Sequence, residues 1–134
     1  VLGASSAFAG FTEGKLNSAK RSAQKTGKLI AFVFYEDFST YREPQQVAEA
    51  TARNSAAKKA IPRADVTILE INKGDKDTNK IPACVAKEGK LPRVVITDAK
   101  CKKVIIQYDG APNREKSKEI ETKVEEALEV KIIE

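Results

Sequence analysis

The sequence predicts an α/β domain: a central mixed sheet of about four to five strands flanked by helices. Three observations carry that expectation. An apolar run rich in branched and aromatic residues, 29–35, and a second strand-like run, 66–72, are separated by an alanine-rich stretch that begins at Pro44 and stops before Pro62, the order of a strand–helix–strand unit. Two shorter β-rich runs, 93–97 and 103–108, are joined by five residues, a spacing that suits an antiparallel hairpin. Amphipathic stretches precede the first run and follow the last. The 134 residues fit one such domain, expected over 12–134.

Each element has its own local reason. Leu16, Ala19 and Ala23 recur at helical spacing, with Thr12 as a candidate N-cap and Gly27 as a stop, so 12–25 is read as the first helix. The run 29–35 is apolar without alternation, as a strand covered on both faces must be. After a polar turn at 36–43, Pro44 suits a first helical turn, where its missing N–H would have had no partner. The helix then runs to about Ala60, with Val47, Ala50 and Thr51 expected to face the sheet. A strand at 66–72 follows, parallel to the first, and then a loop at 73–75. The stretch 78–88 reads as a weak helix that Pro82 confines and Gly89 ends. Last comes a helix over 113–133 with Ile120, Val124, Ala127 and Leu128 on one face.

Composition excludes several kinds of chemistry. Without any histidine, the commonest metal ligand and the usual neutral-pH base are missing, and two cysteines cannot close a zinc site. No metal and no cofactor is expected. The net charge of +5 is spread by interleaving bases with acids, and aromatics are only 6%, a pattern that speaks against nucleic acid as a partner. No apolar run is long enough for a membrane span. Cys84 and Cys101 lack Cys-x-x-Cys spacing; they are either a disulfide in an oxidising compartment or two inert thiols in a reducing one. Residues 1–11 are read as the tail of a secretory signal, with Ala7-Phe8-Ala9 before Gly10 resembling a cleavage site, or else as an N-terminal arm. The signal reading implies a periplasmic or secreted protein.

The segment Phe34-Tyr35-Glu36-Asp37-Phe38 resembles the strand end and aromatic lead-in of the thioredoxin-like superfamily. Ser39-Thr40-Tyr41-Arg42 stands where those proteins carry Cys-x-x-Cys. Leu91-Pro92-Arg93-Val94-Val95-Ile96 resembles a second landmark, a proline opening an antiparallel strand, and Asp109-Gly110 resembles the glycine turn before the last helix. Over 12–128 the resemblance implies a thioredoxin-like fold, a cis bond before Pro92, and a groove formed by Tyr35, Phe38, Ser39, Arg42, Leu91 and Pro92. It also implies a divergent member, because both thiols are replaced and Val33 occupies the place of the family's buried acid.

Those replacements remove the chemistry. Dithiol exchange needs a thiolate nucleophile and a second thiol to resolve the mixed disulfide. Ser39 offers a hydroxyl with no base to deprotonate it, and is read as a turn or N-cap serine; Arg42 is expected to pair with Glu36, Asp37 or Glu43, or with a partner's carboxylate. The expected function is a redox-inactive, exported module that binds a protein partner or self-associates through its N-terminal arm. The enzymatic alternative is a thiol–disulfide oxidoreductase relative that uses Cys84 or Cys101 with an external thiol. A third reading places a peptide or small anion in the groove, held by Arg42 and a helix N-terminus.

Overall fold

The computed structural model describes residues 10–85 and 88–133. Three helices, α1 (Glu13–Thr26), α2 (Pro44–Lys59) and α3 (Arg114–Ile133), flank four strands, β1 (Leu29–Phe34), β2 (Val66–Ile71), β3 (Arg93–Thr97) and β4 (Val104–Asp109). The sheet order is β2-β1-β3-β4. β1 runs parallel to β2, Leu29 opposite Val66 and Phe34 opposite Ile71, and antiparallel to β3; β3 and β4 are antiparallel.

β1 and β3 are buried along their whole lengths because they lie in the middle of the sheet with helices on both sides. Alternate residues of β1 feed two cores. Ile30, Phe32 and Phe34 point to the α1 side, where they meet Phe11, Leu16, Ala19 and Ala23. Leu29, Ala31 and Val33 point to the other side and meet Ala57 of α2 with Ile120 and Val124 of α3. Burying a side chain the size of Phe32 contributes about 2–3 kcal/mol, so an uninterrupted apolar strand is what a three-layer arrangement selects.

The helix ends follow the sequence. The Thr12 hydroxyl accepts from Lys15 N, and Gly27 sits at φ 72°, the left-handed geometry that lets the chain leave α1. Asn113 caps α3 by accepting from Lys116 N at 2.7 Å. The start of α1 is held from elsewhere in the chain: Asp75 accepts from Phe11 N and Asn72 N, and Asp77 accepts from Glu13 N. A Cβ on Gly10 would fall 2.3 Å from Asp75 Oδ1, so a side chain there would displace Asp75 from its bonds to Phe11 N and Asn72 N. Residues 1–9 of the expected arm lie outside the described residues, but Phe11, assigned to that arm, is fully buried in the core. The packed domain therefore reaches back past residue 12.

Two further expectations are corrected. α2 buries Ala50, Asn54 and Ala57, whereas Val47 is half-buried and Thr51 is exposed with its hydroxyl turned back to Val47 O. Of the helix expected over 78–88, the described residues form only a 3-10 turn, Thr78–Lys80. Residues 81–85 beyond it are irregular and guided by packing, with Ile81 and Val85 buried under α1's side of the sheet.

Candidate functional site

The site that the resemblance marks lies where β1 ends and β3 begins. Phe34 pairs with Arg93 across the sheet, and the Leu91–Pro92 peptide bond just before Arg93 is cis. Pro92 O accepts from Gly110 N at 2.7 Å, which ties this corner to the end of β4. Arg93 is buried with its guanidinium 4.5 Å from the centre of the Phe34 ring, in cation–π contact. Burial lowers its pKa, a shift that the charge of Asp109 opposes.

From here the chain enters the loop 36–43, and one carboxylate organises it. Glu36 receives two bonds from Arg53 of α2, Nε to Oε1 and Nη2 to Oε2, both 2.8 Å, and a third from the Tyr41 hydroxyl at 2.7 Å. Asn54, one residue along α2, donates to Glu36 O and accepts from Glu36 N. The Glu36 side chain is only 12% exposed. Hydrogen bonding from Arg53, opposed by burial and helped by Tyr41, holds its carboxyl below the usual range, and the same bond to Glu36 raises the Tyr41 phenol.

Ser39 is a turn serine. Its N–H and hydroxyl both donate to Asp37, at 3.2 and 3.1 Å, and lower the Asp37 pKa. It does not cap a helix: α2 begins at Pro44 with Glu43 at the N-cap, which makes no side-chain cap bond. Ser39, where the resemblance implies a nucleophile, thus lies ahead of the helix start and out of its first-turn field. Arg42 is exposed and makes no ion pair among the described residues; Arg53 has taken the role expected of it. The anion site expected from Arg42 and a helix N-terminus is not assembled. Arg53 and Asn54 carry no sequence motif, and only a polar pair interrupting an alanine-rich helix marks them.

Of the residues expected in the groove, Tyr35 and Leu91 are brought together. With Phe34, Asp37, Ile71 and Ile81 they line a cavity of about 300 Å³. Ser39, Phe38, Arg42 and Pro92 do not line it. Leu91 is 42% exposed at this cavity, one of two exposed large apolar residues among the described ones, the other being Tyr41 in the neighbouring loop. Tyr35 donates to Glu70, which also pairs with Lys58 at 3.4 Å, so the phenol is a strut between β1 and β2. Its pKa is raised, by burial first and by Glu70 next.

β1–α2–β2 in parallel, an antiparallel β3–β4 pair, a closing helix, and a cis Leu91–Pro92 bond opening β3 all agree with the resemblance. The fold is thioredoxin-like. No family model matches the chain, and no curated protein matches it. Among solved structures, the chain is similar to the germline-specific thioredoxin Deadhead (Thioredoxin-1) from Drosophila melanogaster, at 21% identity and a TM-score of 0.40, covering 77% of this chain and 88% of that one. The fold rests on strand order and layer packing rather than on that likeness.

The two cysteines lie elsewhere. Cys101 is buried in the β3–β4 turn, at the end of the sheet opposite Pro92, and Cys84 is half-buried in the β2–β3 connection. Both are free thiols, and the Cys84 sulfur donates to Cys101 O at 3.3 Å. Burial raises both pKa values, assisted at Cys84 by the charge of Asp98 and opposed at Cys101 by a bond from Thr97. A raised thiol pKa means less thiolate at neutral pH, the opposite of what a nucleophile needs. Among the described residues no group of three or more His, Cys, Asp or Glu could hold a metal ion, and no helix is long and apolar enough to cross a membrane.

Proposed function

We propose that the domain is a redox-inactive, exported protein-binding module, which docks a partner segment at the corner between the loop 36–43 and Leu91-Pro92. The observation that carries this reading is Leu91: an apolar side chain left 42% exposed at a 300 Å³ cavity beside a loop held rigid by Glu36. An exposed leucine next to a shaped, partly apolar hollow gives a partner something to bury, and a preorganised loop lowers the entropy lost on binding. The replacement of both thiols by Ser39 and Arg42 supports binding without exchange chemistry.

A photo-crosslinker at position 91, with a second at exposed Lys118 on α3 as control, tests the docking site in native extracts. Crosslinks to a discrete protein from position 91 alone are expected; equal labelling from both positions would refute it. Self-association is one form the partner can take. Light scattering of chains with and without residues 1–10 separates it, since a monomer in both cases removes the arm as an assembly element. The export reading rests on Ala7-Phe8-Ala9-Gly10, and fractionation of cells producing the native protein should find it outside the cytoplasm.

A further inference from the structure

We propose that Cys84 and Cys101 are a disulfide-forming pair that, when oxidised, staples the β2–β3 connection to the β3–β4 turn. The chain has only two cysteines, and they come from segments that share no strand or helix. The fold nevertheless brings them into contact, the Cys84 sulfur 3.3 Å from Cys101 O. Backbone bond lengths then place that sulfur within about 6 Å of the Cys101 α-carbon, and a bridge between them requires the two α-carbons to lie within about 7 Å.

The backbone at Cys101 supplies a second, independent reason. Cys101 sits at φ 58°, in the left-handed region that glycine or asparagine occupies readily and other residues rarely. The turn does not depend on a cysteine for its shape. Asp98 organises it, accepting from Lys102 N at 2.7 Å and Lys103 N at 3.0 Å, with Cys101 N donating to Asp98 O. A cysteine held in a strained conformation, inside the core cluster and with the other cysteine's sulfur on its carbonyl oxygen, is placed for its side chain rather than for its backbone.

Exposure fixes the order of events. Cys84 is half-buried and Cys101 is 6% exposed, so an external oxidant meets Cys84 first. With a small disulfide such as oxidised glutathione, the Cys84 thiolate attacks one sulfur, the external S–S bond breaks, and one thiol leaves. The Cys101 thiolate then attacks Cys84 Sγ in the mixed disulfide and expels the second thiol. Two protein thiols lose two electrons and two protons, and the external disulfide gains them. Burial of both thiols makes closure slow at neutral pH and faster as pH rises.

The test uses the full chain, reduced and then incubated with oxidised glutathione, quenched in acid, alkylated with iodoacetamide and weighed by mass spectrometry. The expected product is a monomer lighter than the reduced chain by two hydrogens, resistant to alkylation, that yields a crosslinked peptide containing Cys84 and Cys101. Its Tm should rise by roughly 10 °C, the shift expected for closing a loop of this length in a domain of this size, and dithiothreitol should reverse it. Alkylation of both thiols after oxidation, a glutathione adduct that persists on Cys84, a disulfide-linked dimer, or a lowered Tm in the bonded monomer would each overturn the proposal. Cys84→Ser, at the less buried position, serves as control: it should keep the Tm of the reduced chain and show no rise on oxidation, and a rise would contradict the assignment. The experiment does not involve Leu91 or the loop 36–43, so its outcome is independent of the docking site proposed there.

Discussion

The two ends of the sheet divide the labour in an unexpected way. At the end marked by Pro92, the loop that leaves β1 holds no sulfur and is fastened by Glu36, Arg53, Tyr41 and Asn54. At the far end, where the β3–β4 turn lies, two cysteines touch, and an open cavity of about 590 Å³ lies between that turn and α3, flanked by Lys100, Lys103 and Lys123. A single backbone plan thus carries ion pairing and an exposed leucine where the resemblance implies thiols, and thiols where it implies none. Function in such a fold has to be read from the side chains at each end rather than from the architecture.

Breaking the fastened loop gives the largest expected effect. Asn54→Ala removes both bonds to the Glu36 backbone and leaves a gap on the buried face of α2, which should destabilise the domain by about 3 kcal/mol in urea denaturation. Glu36→Ala leaves Arg53 partly solvated and should cost less, about 1–2 kcal/mol.

Acid should find the same loop. The folded pKa of Glu36 is lowered, so its contribution is complete above the ordinary carboxylate value of about 4.3 and is lost as pH falls through the lower folded value. Stability measured by urea denaturation should therefore hold from pH 7 to about 5 and decline below about 4, with a shallower decline in Glu36→Gln. A steeper decline in the variant would remove Glu36 from the account.

Restoring a sulfur sharpens the comparison further. In Ser39→Cys the new thiol would face Asp37 and lie ahead of the first turn of α2, so it should titrate at or above about 8.5, the value of a free cysteine, rather than in the depressed range of reactive ones. A titration below 7 would show that the helix field reaches it. The smallest effects belong to the residues that stand in the thiol positions themselves. Ser39→Ala and Arg42→Ala, both on exposed side chains, should each change stability by less than about 0.5 kcal/mol.

Much of the fold was legible because its signals are local. Thr12 and Gly27 delimit α1 by capping chemistry, Pro44 sets the start of α2, and the unbroken apolar run of β1 reports two covered faces. The buried face of α2 was not legible, since Asn54 breaks the apolar period and is buried for the sake of a loop eighteen residues away in sequence. The stretch 78–88 misled because alanine and lysine content favours a helix, whereas Ile81 and Val85 are drawn into the core by tertiary packing. At the candidate site, sequence located the loop and the place of Leu91-Pro92 but chose the wrong arginine: Arg42 is near Glu36 along the chain, and Arg53 is near it in space. The contact between Cys84 and Cys101 is likewise a product of tertiary folding, which spacing alone left open.

The most direct test of the division between the two ends is turnover in an insulin-reduction assay coupled to an external dithiol, run with the unmodified chain beside Cys84→Ser and Cys101→Ser. The account predicts a rate indistinguishable from the protein-free control in all three. Sustained turnover by the unmodified chain that disappears in either cysteine variant would contradict it and make the far end of the sheet an active site.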